Sequence, residues 1–448
     1  MTLLAIDWSS IAVKIGQFIL SFSILVTIHE LGHFLTARWF KCRVEKFYLF
    51  FDPWFSIWKK KKGDTEYGIG WVPLGGYVKI SGMIDESMDK EQMKLPPQPH
   101  EFRAKKAWQR LIIMVAGVIM NILLAIAIFI GITWKWGEES LPARNLSYGI
   151  YTDSLSRTIG LRDGDNIVSL DNRQVQDVGR MSSEIILKEV KTLTVQRGQD
   201  SFHIDVPKGF MKELVKKPNL MAFGEPRVPV IVDSVTKEAT FTQGTLAKSD
   251  TLIGINGHPF RYSREFFDLQ KNYKDSTVVL TALRGKDTVS AKWKLGTKFI
   301  SMYFRSPAKI FGTVKKEYTF LQAIPVGVRR CFETLSRYMT SIRQLITHKV
   351  DAKDTMGGLI SIGNTFPGYW DWEQFWVLTG VFSIILAFMN ILPIPALDGG
   401  HAFFTLVELI TGRKPSDKFM EYAQVVGMVL LAGLMVYALG LDVWRLFR

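Results

Sequence analysis

Thr27-Ile28-His29-Glu30-Leu31-Gly32-His33-Phe34 sits inside an apolar run from roughly Ile11 to Phe40. About 20 apolar residues suffice to cross a bilayer, so this run is long enough to span one. On a helix, His29 and His33 fall one turn apart on the same face. That spacing lets two imidazole nitrogens hold one metal ion. Glu30 then stands beside the metal, where it can take a proton from water, as in the H-E-x-x-H pattern of zinc hydrolases. The pattern also occurs by chance in soluble helices, but the setting here is apolar. An ionisable residue at mid-bilayer costs roughly 2.5–3.5 kcal/mol even on the lenient insertion scale. A glutamate flanked by two histidines in a membrane helix therefore calls for a partner, and a metal ion is the simplest one.

Around this stretch the chain is that of a membrane protein with a large polar portion. Its 448 residues allow about three domains, and 47% are hydrophobic. The mean hydropathy is +0.10. The net charge of +14 would suggest nucleic acid in a soluble protein. Here the basic residues cluster beside apolar runs, as in Lys59-Lys60-Lys61-Lys62 and Arg103, Lys105, Lys106 and Arg110. Basic loops mark the cytoplasmic side and meet anionic headgroups. The charge is read as topology, with no nucleic-acid partner. The two cysteines, Cys42 and Cys331, fall on opposite sides of the membrane in this topology and are expected to form no bridge.

Four spans are expected: roughly 11–40, 111–134, 375–397 and 423–443. The basic first connection places the N-terminus and residues from about 137 to 372 outside, with the C-terminus also outside. A loop from His401 to about Tyr422 is expected inside.

The connection from Glu45 to Ser81 is rich in aromatic, β-branched and glycine residues, which suggests strands and hairpins. Backbone of that kind survives in a membrane only where protein covers it or it lines a cavity. It reads either as a β-loop beside the histidines, able to pair with an extended substrate, or as a small amphipathic sheet at the interface.

The outer portion holds two similar stretches, Gly160-Leu161-Arg162-Asp163-Gly164-Asp165-Asn166-Ile167 and Thr245-Leu246-Ala247-Lys248-Ser249-Asp250-Thr251-Leu252. Alternating strands surround both. Such internal similarity points to duplicated domains of ~80–100 residues. Each looks like a PDZ domain, with a generic β-rich spacer as the alternative. The expected domains are residues 137–222 and 223–310. From 311 to 372, helical spacing of Phe320, Ile324, Val328, Phe332, Leu335 and Met339 reads as amphipathic helices on the membrane surface or as a packed helix pair.

A third ligand candidate closes the third span: Asn390-Ile391-Leu392-Pro393-Ile394-Pro395-Ala396-Leu397-Asp398-Gly399-Gly400-His401. The prolines stop the helix and the glycines allow backbones to approach. Asp398 is the only acidic residue in the apolar stretch from Val377 onward. With His29 and His33 it makes a three-ligand zinc site with a fourth position for water.

His29-Glu30-Leu31-Gly32-His33, Pro73-Leu74-Gly75-Gly76-Tyr77-Val78 and Asn390-x-x-Pro393-x-Pro395-x-Leu397-Asp398-Gly399 together resemble the site-2 protease family of intramembrane zinc proteases. The resemblance covers essentially the whole chain. It implies a polytopic α-helical fold of four transmembrane helices, a membrane-associated β-loop and two extracytoplasmic PDZ-like domains. It implies one catalytic Zn2+ on His29, His33 and Asp398, with Glu30 as the base. Asn390, Pro393, Gly75 and Gly76 would lie along the substrate path. It further implies a multi-pass protein of the bacterial inner membrane, with the PDZ-like domains and both termini in the periplasm. Its substrates would be single-span membrane proteins, such as anti-sigma factors and signal-peptide remnants, first trimmed by an upstream site-1-type protease. The PDZ pair would act as a size filter. Val118 and Leu359 stand where the family usually has proline, and Thr245 and Ser249 stand where Gly160 and Gly164 serve in the first repeat.

Two rival classes remain at this stage. A non-enzymatic receptor would close the metal site with a fourth ligand, for which His401 is the candidate. A metal transporter would need more ligands along its spans.

Overall fold

The computed structural model describes residues 8–83, 96–215, 224–235, 241–273, 276–294, 302–351, 353 and 357–446. The expected boundary between the two outer domains, at 222–223, lies outside them. The chain divides into two compact units, one of Met1–Gly137, Glu317–Arg343 and Thr355–Arg448, the other of Glu138–Lys316 and Gln344–Asp354.

In the first unit, α1 (Trp8–Trp39) turns one stripe inward, with Gln17, Ser21, Leu25, His29, Gly32, His33 and Ala37 buried. Spacings of three and four residues place these side chains on a single face. A sheet follows, made of β1 (Val44–Phe51), β2 (Trp58–Lys62), β3 (Thr65–Ile69) and β4 (Val72–Ile80). Its order is β2-β3-β1-β4, so β4 is an edge strand. Tyr48 of β1 pairs with Tyr77 of β4, and the rings stack with centroids 5.3 Å apart. The hydroxyl of Tyr48 donates to Glu66 at 2.7 Å, and that of Tyr77 donates to Asp52 at 2.9 Å. Next comes α2 (Ala107–Trp136), whose buried stripe includes Ile113, Gly117, Asn121, Ala125, Ile128 and Ile132.

The second unit carries two β-cores. The first sheet runs β7-β6-β8-β9, from β6 (Asn166–Leu170), β7 (Arg173–Gln174), β8 (Thr192–Arg197) and β9 (Asp200–Asp205), with helix α3 (Met181–Leu187) between β7 and β8. The second runs β11-β15-β14-β12-β13, from β11 (Phe241–Gln243), β12 (Thr251–Ile255), β13 (His258–Pro259), β14 (Thr277–Arg284) and β15 (Asp287–Lys294), with helix α4 (Ser263–Gln270) between β13 and β14. Two short pairings complete the unit: β10 (Val232–Val235) with β16 (Met302–Phe304), and β5 (Glu138–Ser140) with β17 (Val314–Lys316). Each core has its own hydrophobic cluster, one around Ile167, Leu193 and Val195 and one around Leu252, Phe266 and Leu280.

The similarity of the two stretches is physical as well as sequential. Arg197 binds the buried Asp165 with Nε at 2.6 Å and reaches the Gly160 carbonyl. Arg284 binds the buried Asp250 at 2.9 Å and reaches the Thr245 carbonyl. Each aspartate also accepts from a backbone N–H of the preceding turn, that of Arg162 or Ala247. Thr245 and Ser249 therefore replace glycines without breaking this device. Phe311 joins the first cluster, so that core draws on a residue beyond the expected 137–222.

The remaining helices return to the first unit: α5 (Phe320–Ile346), α6 (Leu359–Thr365), α7 (Trp372–Ile391), α8 (Asp398–Thr411) and α9 (Asp417–Leu446). The residues at helical spacing from Phe320 to Met339 all lie on the single helix α5. A Cβ added at Gly327 would come within 2.6 Å of the Ile130 backbone, and Cys331 is buried with Ala125, Phe129 and Ile384. Its first half therefore packs on α2 and α7. The third span ends at Ile391 rather than Leu397, because Pro393 and Pro395 cannot continue a helix. The stretch expected as a loop from His401 to Tyr422 is mostly α8 and the start of α9. Cys42 and Cys331 are both free and buried. Four helices are long and apolar enough to cross a membrane: Trp8–Trp39, Ala107–Trp136, Trp372–Ile391 and Lys418–Arg445.

Candidate active site

Three elements far apart in sequence bring the site together. Positions 29 and 33 of α1 face α2, and the two helices touch through backbone. A Cβ at Gly32 would lie 2.6 Å from the Ala116 carbonyl oxygen, and one at Gly117 would lie 2.4 Å from His33 Nε2 and 2.6 Å from His29 Cε1. Only glycine leaves room for the two imidazoles against α2.

Asp398 arrives as the first residue of α8, where a carboxylate is favoured by the exposed N–H groups and the helix dipole. The turn from α7 into α8 is tight. Ala396 holds φ +82°, a left-handed backbone that non-glycine residues adopt only when the surroundings impose it. Gly399 and Gly400 press on the carbonyls of Leu392 and Ile394; an added Cβ would come to 2.2 and 2.5 Å.

The resulting donor set is compact. His29 Nε2 lies 3.0 Å and His33 Nε2 3.2 Å from the same oxygen, Oδ2 of Asp398. The two Nε2 atoms are 3.3 Å apart. Ligand atoms ~2.0–2.1 Å from a tetrahedral zinc sit about 3.3 Å from one another, so the triangle has the right size. The protons are also in the right place. His33 Nδ1 donates to the Ile113 carbonyl at 2.8 Å, which leaves its Nε2 lone pair for a metal. Among the described residues, His29, His33 and Asp398 form the one group of three such side chains close enough to share an ion.

His401 lines the same cleft but is not part of this group, and its imidazole bonds Gln424. The closed four-ligand site expected of a receptor is therefore not assembled among the described residues. Further clusters along the spans, expected of a transporter, are likewise absent from them.

The site opens into a cleft of about 410 Å³ lined by His29, Glu30, His33, Gly76, Tyr77 and Asp398 among others. A Cβ at Gly76 would lie 3.7 Å from Glu30 Cγ, so β4 passes directly beside the glutamate. Burial, reinforced by the bond to Asp52, holds the phenol of Tyr77 well above its usual pKa, so its hydroxyl keeps its proton. Asn390 Nδ2 lies 3.3 Å from His29 Nε2. Gly75 packs instead against the ring of Phe51, and Pro393 is exposed; neither lines the cleft. The sequence reading noted Gly117 and Asn121 only as matches to the family pattern around Val118 and gave no role to the Asn121 amide, 3.3 Å from His29 Nδ1, or to the Ile113 carbonyl. Their signal was present: Ile113, Gly117 and Asn121 recur every four residues, the spacing of His29 and His33.

Comparison with known proteins agrees with this geometry. The model of Peptidase family M50 matches residues 17–434. A relative from Xylella fastidiosa named "Putative zinc metalloprotease" is 26% identical over 94% of this chain and 96% of its own length. One of similar name from Rickettsia conorii is 27% identical over 96% of this chain and 98% of its own. The regulator of sigma-E protease RseP of Escherichia coli is 25% identical over 96% and 98%. The family model spans nearly the whole chain and takes in His29, His33 and Asp398: the chain belongs to peptidase family M50, the site-2 proteases, and is a multi-pass membrane zinc metalloprotease.

Proposed function

We propose that this protease cuts the membrane segment of single-span proteins already shortened by another protease, with anti-sigma factors and signal-peptide remnants as its substrate class. The observation that carries the reading is the meeting of His29, His33 and Asp398 on or beside helices apolar enough to cross a bilayer. The printed name of the Escherichia coli relative, a regulator of sigma-E protease, supports the substrate class. The basic first connection supports a cytoplasmic β-sheet, periplasmic termini and a periplasmic second unit in a bacterial inner membrane. The paired Asp–Arg devices support two PDZ-like domains at about 137–222 and 223–310, acting as a size filter. Residues 311–372 would link them to the last two spans.

In this mechanism His29, His33 and Asp398 hold zinc. The ion, when bound, supplies Lewis acidity that polarises a carbonyl and acidifies water. A Glu30 carboxylate oxygen takes the proton from the attacking water and passes it to the leaving amide nitrogen. A helical substrate hides its amides in its own hydrogen bonds. The free edge of β4 offers a replacement row of N–H and C=O groups, and Gly76 keeps that edge close to Glu30. Asn390 lies near enough to hold the opened segment.

The test is Glu30→Gln with a model membrane substrate. Cleavage should fall at least ~100-fold while bound zinc is retained. Cleavage close to that of the unaltered protein would overturn the role of Glu30.

A further inference from the structure

Each imidazole of the site has a second ring nitrogen, and what that nitrogen touches decides which atom is left for a metal. One stripe of α2 meets both. The Ile113 carbonyl accepts from His33 Nδ1 at 2.8 Å, and the Asn121 amide lies 3.3 Å from His29 Nδ1. Gly117, midway between them, gives the rings their space. Asn121 is completely buried, and Ser383 of α7 ties it down by donating to its backbone carbonyl at 2.7 Å.

The orientation of the Asn121 amide follows from counting protons. His29 has amide groups at both nitrogens: Asn121 near Nδ1 and Asn390 near Nε2, each at 3.3 Å. A neutral imidazole donates at one nitrogen and accepts at the other. Without a metal, Nε2 can carry the ring proton, because Asp398 Oδ2 lies 3.0 Å from it. A metal on Nε2 takes that place away, and one amide must then present its oxygen to the proton. The oxygen and nitrogen of such amides are distinguished only through their hydrogen bonds. A ligand role for Nε2 requires the ring proton on Nδ1, so Asn121 is the one that presents oxygen.

We infer that Asn121 is a positioning residue: its side-chain oxygen holds the Nδ1 proton of His29 and so commits Nε2 to the metal. This rests on the reading of His29 as a ligand. Simple helix-to-helix adhesion is the competing explanation for a polar residue here. It gives no reason for the amide to stand 3.3 Å from His29 Nδ1, the ring nitrogen turned away from the ligand triangle.

The experiment measures zinc affinity by chelator competition on the purified full-length protein in lipid nanodiscs, without reference to activity. Asn121→Leu should weaken binding ~10–100-fold. Asn121→Asp, whose carboxylate accepts the same proton, should restore it to within about threefold. Asn121→Ala replaces the leucine variant if that one does not accumulate. Leucine or alanine variants that bind zinc as tightly as the unaltered protein would overturn the inference, as would an aspartate variant no better than they are. His29→Ala separates the two levels. If it leaves zinc affinity unchanged, the ligand reading falls and this inference with it. If it abolishes binding while Asn121→Leu does not, only the positioning role falls.

Discussion

Gly117→Ala adds one methyl group to the wall between α1 and α2. An ordinary Cβ contact begins at about 3.4 Å, whereas this one would stand 2.4 Å from His33 Nε2, 2.6 Å from His29 Cε1 and 2.9 Å from His29 Nδ1. The imidazoles, being ligand side chains, would have to retreat by close to 1 Å, and a misplacement of that size costs on the order of 100-fold in rate. Alanine is also the better helix former, by roughly 0.5–1 kcal/mol, so α2 itself should not suffer. Gly131, on the same helix, has nothing within 4 Å of its built Cβ. Gly131→Ala should therefore keep full activity and be slightly stabilising. The assay is cleavage of a membrane-embedded model substrate, with zinc content per chain measured on the same preparations. Gly117→Ala should fold, hold less zinc and cleave ~100-fold more slowly. An active Gly117→Ala, or a Gly131→Ala that is equally damaged, would refute the reasoning.

Two further outcomes are expected. Asp250 is held below the usual carboxylate range, first by its bond to Arg284. Its folded pKa being lower than its unfolded value near 3.9, its contribution to stability is full above that value and is lost as pH falls through the folded one. Hydrogen exchange of Thr251–Ile255 should accelerate below about pH 4, and Asp250→Asn should remove that acid step by losing the protection at neutral pH as well. In α9, Asp442 accepts from the N–H groups of Gly358, Ile360 and Ser361 at 3.0, 3.0 and 3.1 Å, and from the Ser361 hydroxyl. Asp442→Ala strips the start of α6 of its acceptors at ~1–3 kcal/mol per orphaned group, so those amides should exchange with solvent while α2 stays protected; unchanged exchange at Ile360 would contradict this.

The membrane helices were legible in the sequence because apolar length alone marks a span. Asp398 was legible because a lone carboxylate in an apolar stretch needs an explanation. The turn that carries it was half legible: Pro393 and Pro395 end α7, but nothing local says that α8 begins at Asp398 itself. That start depends on Gly399 and Gly400 seating against the Leu392 and Ile394 carbonyls, a contact made only once the turn exists. Pro393 and Gly75, read onto the substrate path through a motif, do not line the cleft, since a motif is shared by residues that shape the backbone and residues that face the ligand. The amphipathic stretch after residue 315 was ambiguous for another reason. A lipid surface and a helix bundle both select an apolar stripe, and only Gly327, with no Cβ to keep Ile130 away, favours the bundle.

The strained turn also makes a prediction about metal removal. Ala396 keeps φ +82° against a preference worth roughly 1–3 kcal/mol, so the segment between Pro393 and Gly400 is where the site should open first. In the folded protein Asp398 ties that segment to α1 through the oxygen it presents to His29 and His33. Zinc present at a hundred times its dissociation constant adds about 2.7 kcal/mol to whatever conformation holds all three ligands. The stabilisation falls on the turn, because α1 and α2 are already locked together at Gly32 and Gly117. Chelation should therefore raise hydrogen exchange by up to ~100-fold across residues 394–400 and leave the amides of Ile113–Ala125 unchanged. His33→Ala should show the faster exchange with or without zinc. Equal loosening of α2 and the turn would mean that the metal holds the helix pair together, and that the strain at Ala396 has no part in keeping Asp398 in place.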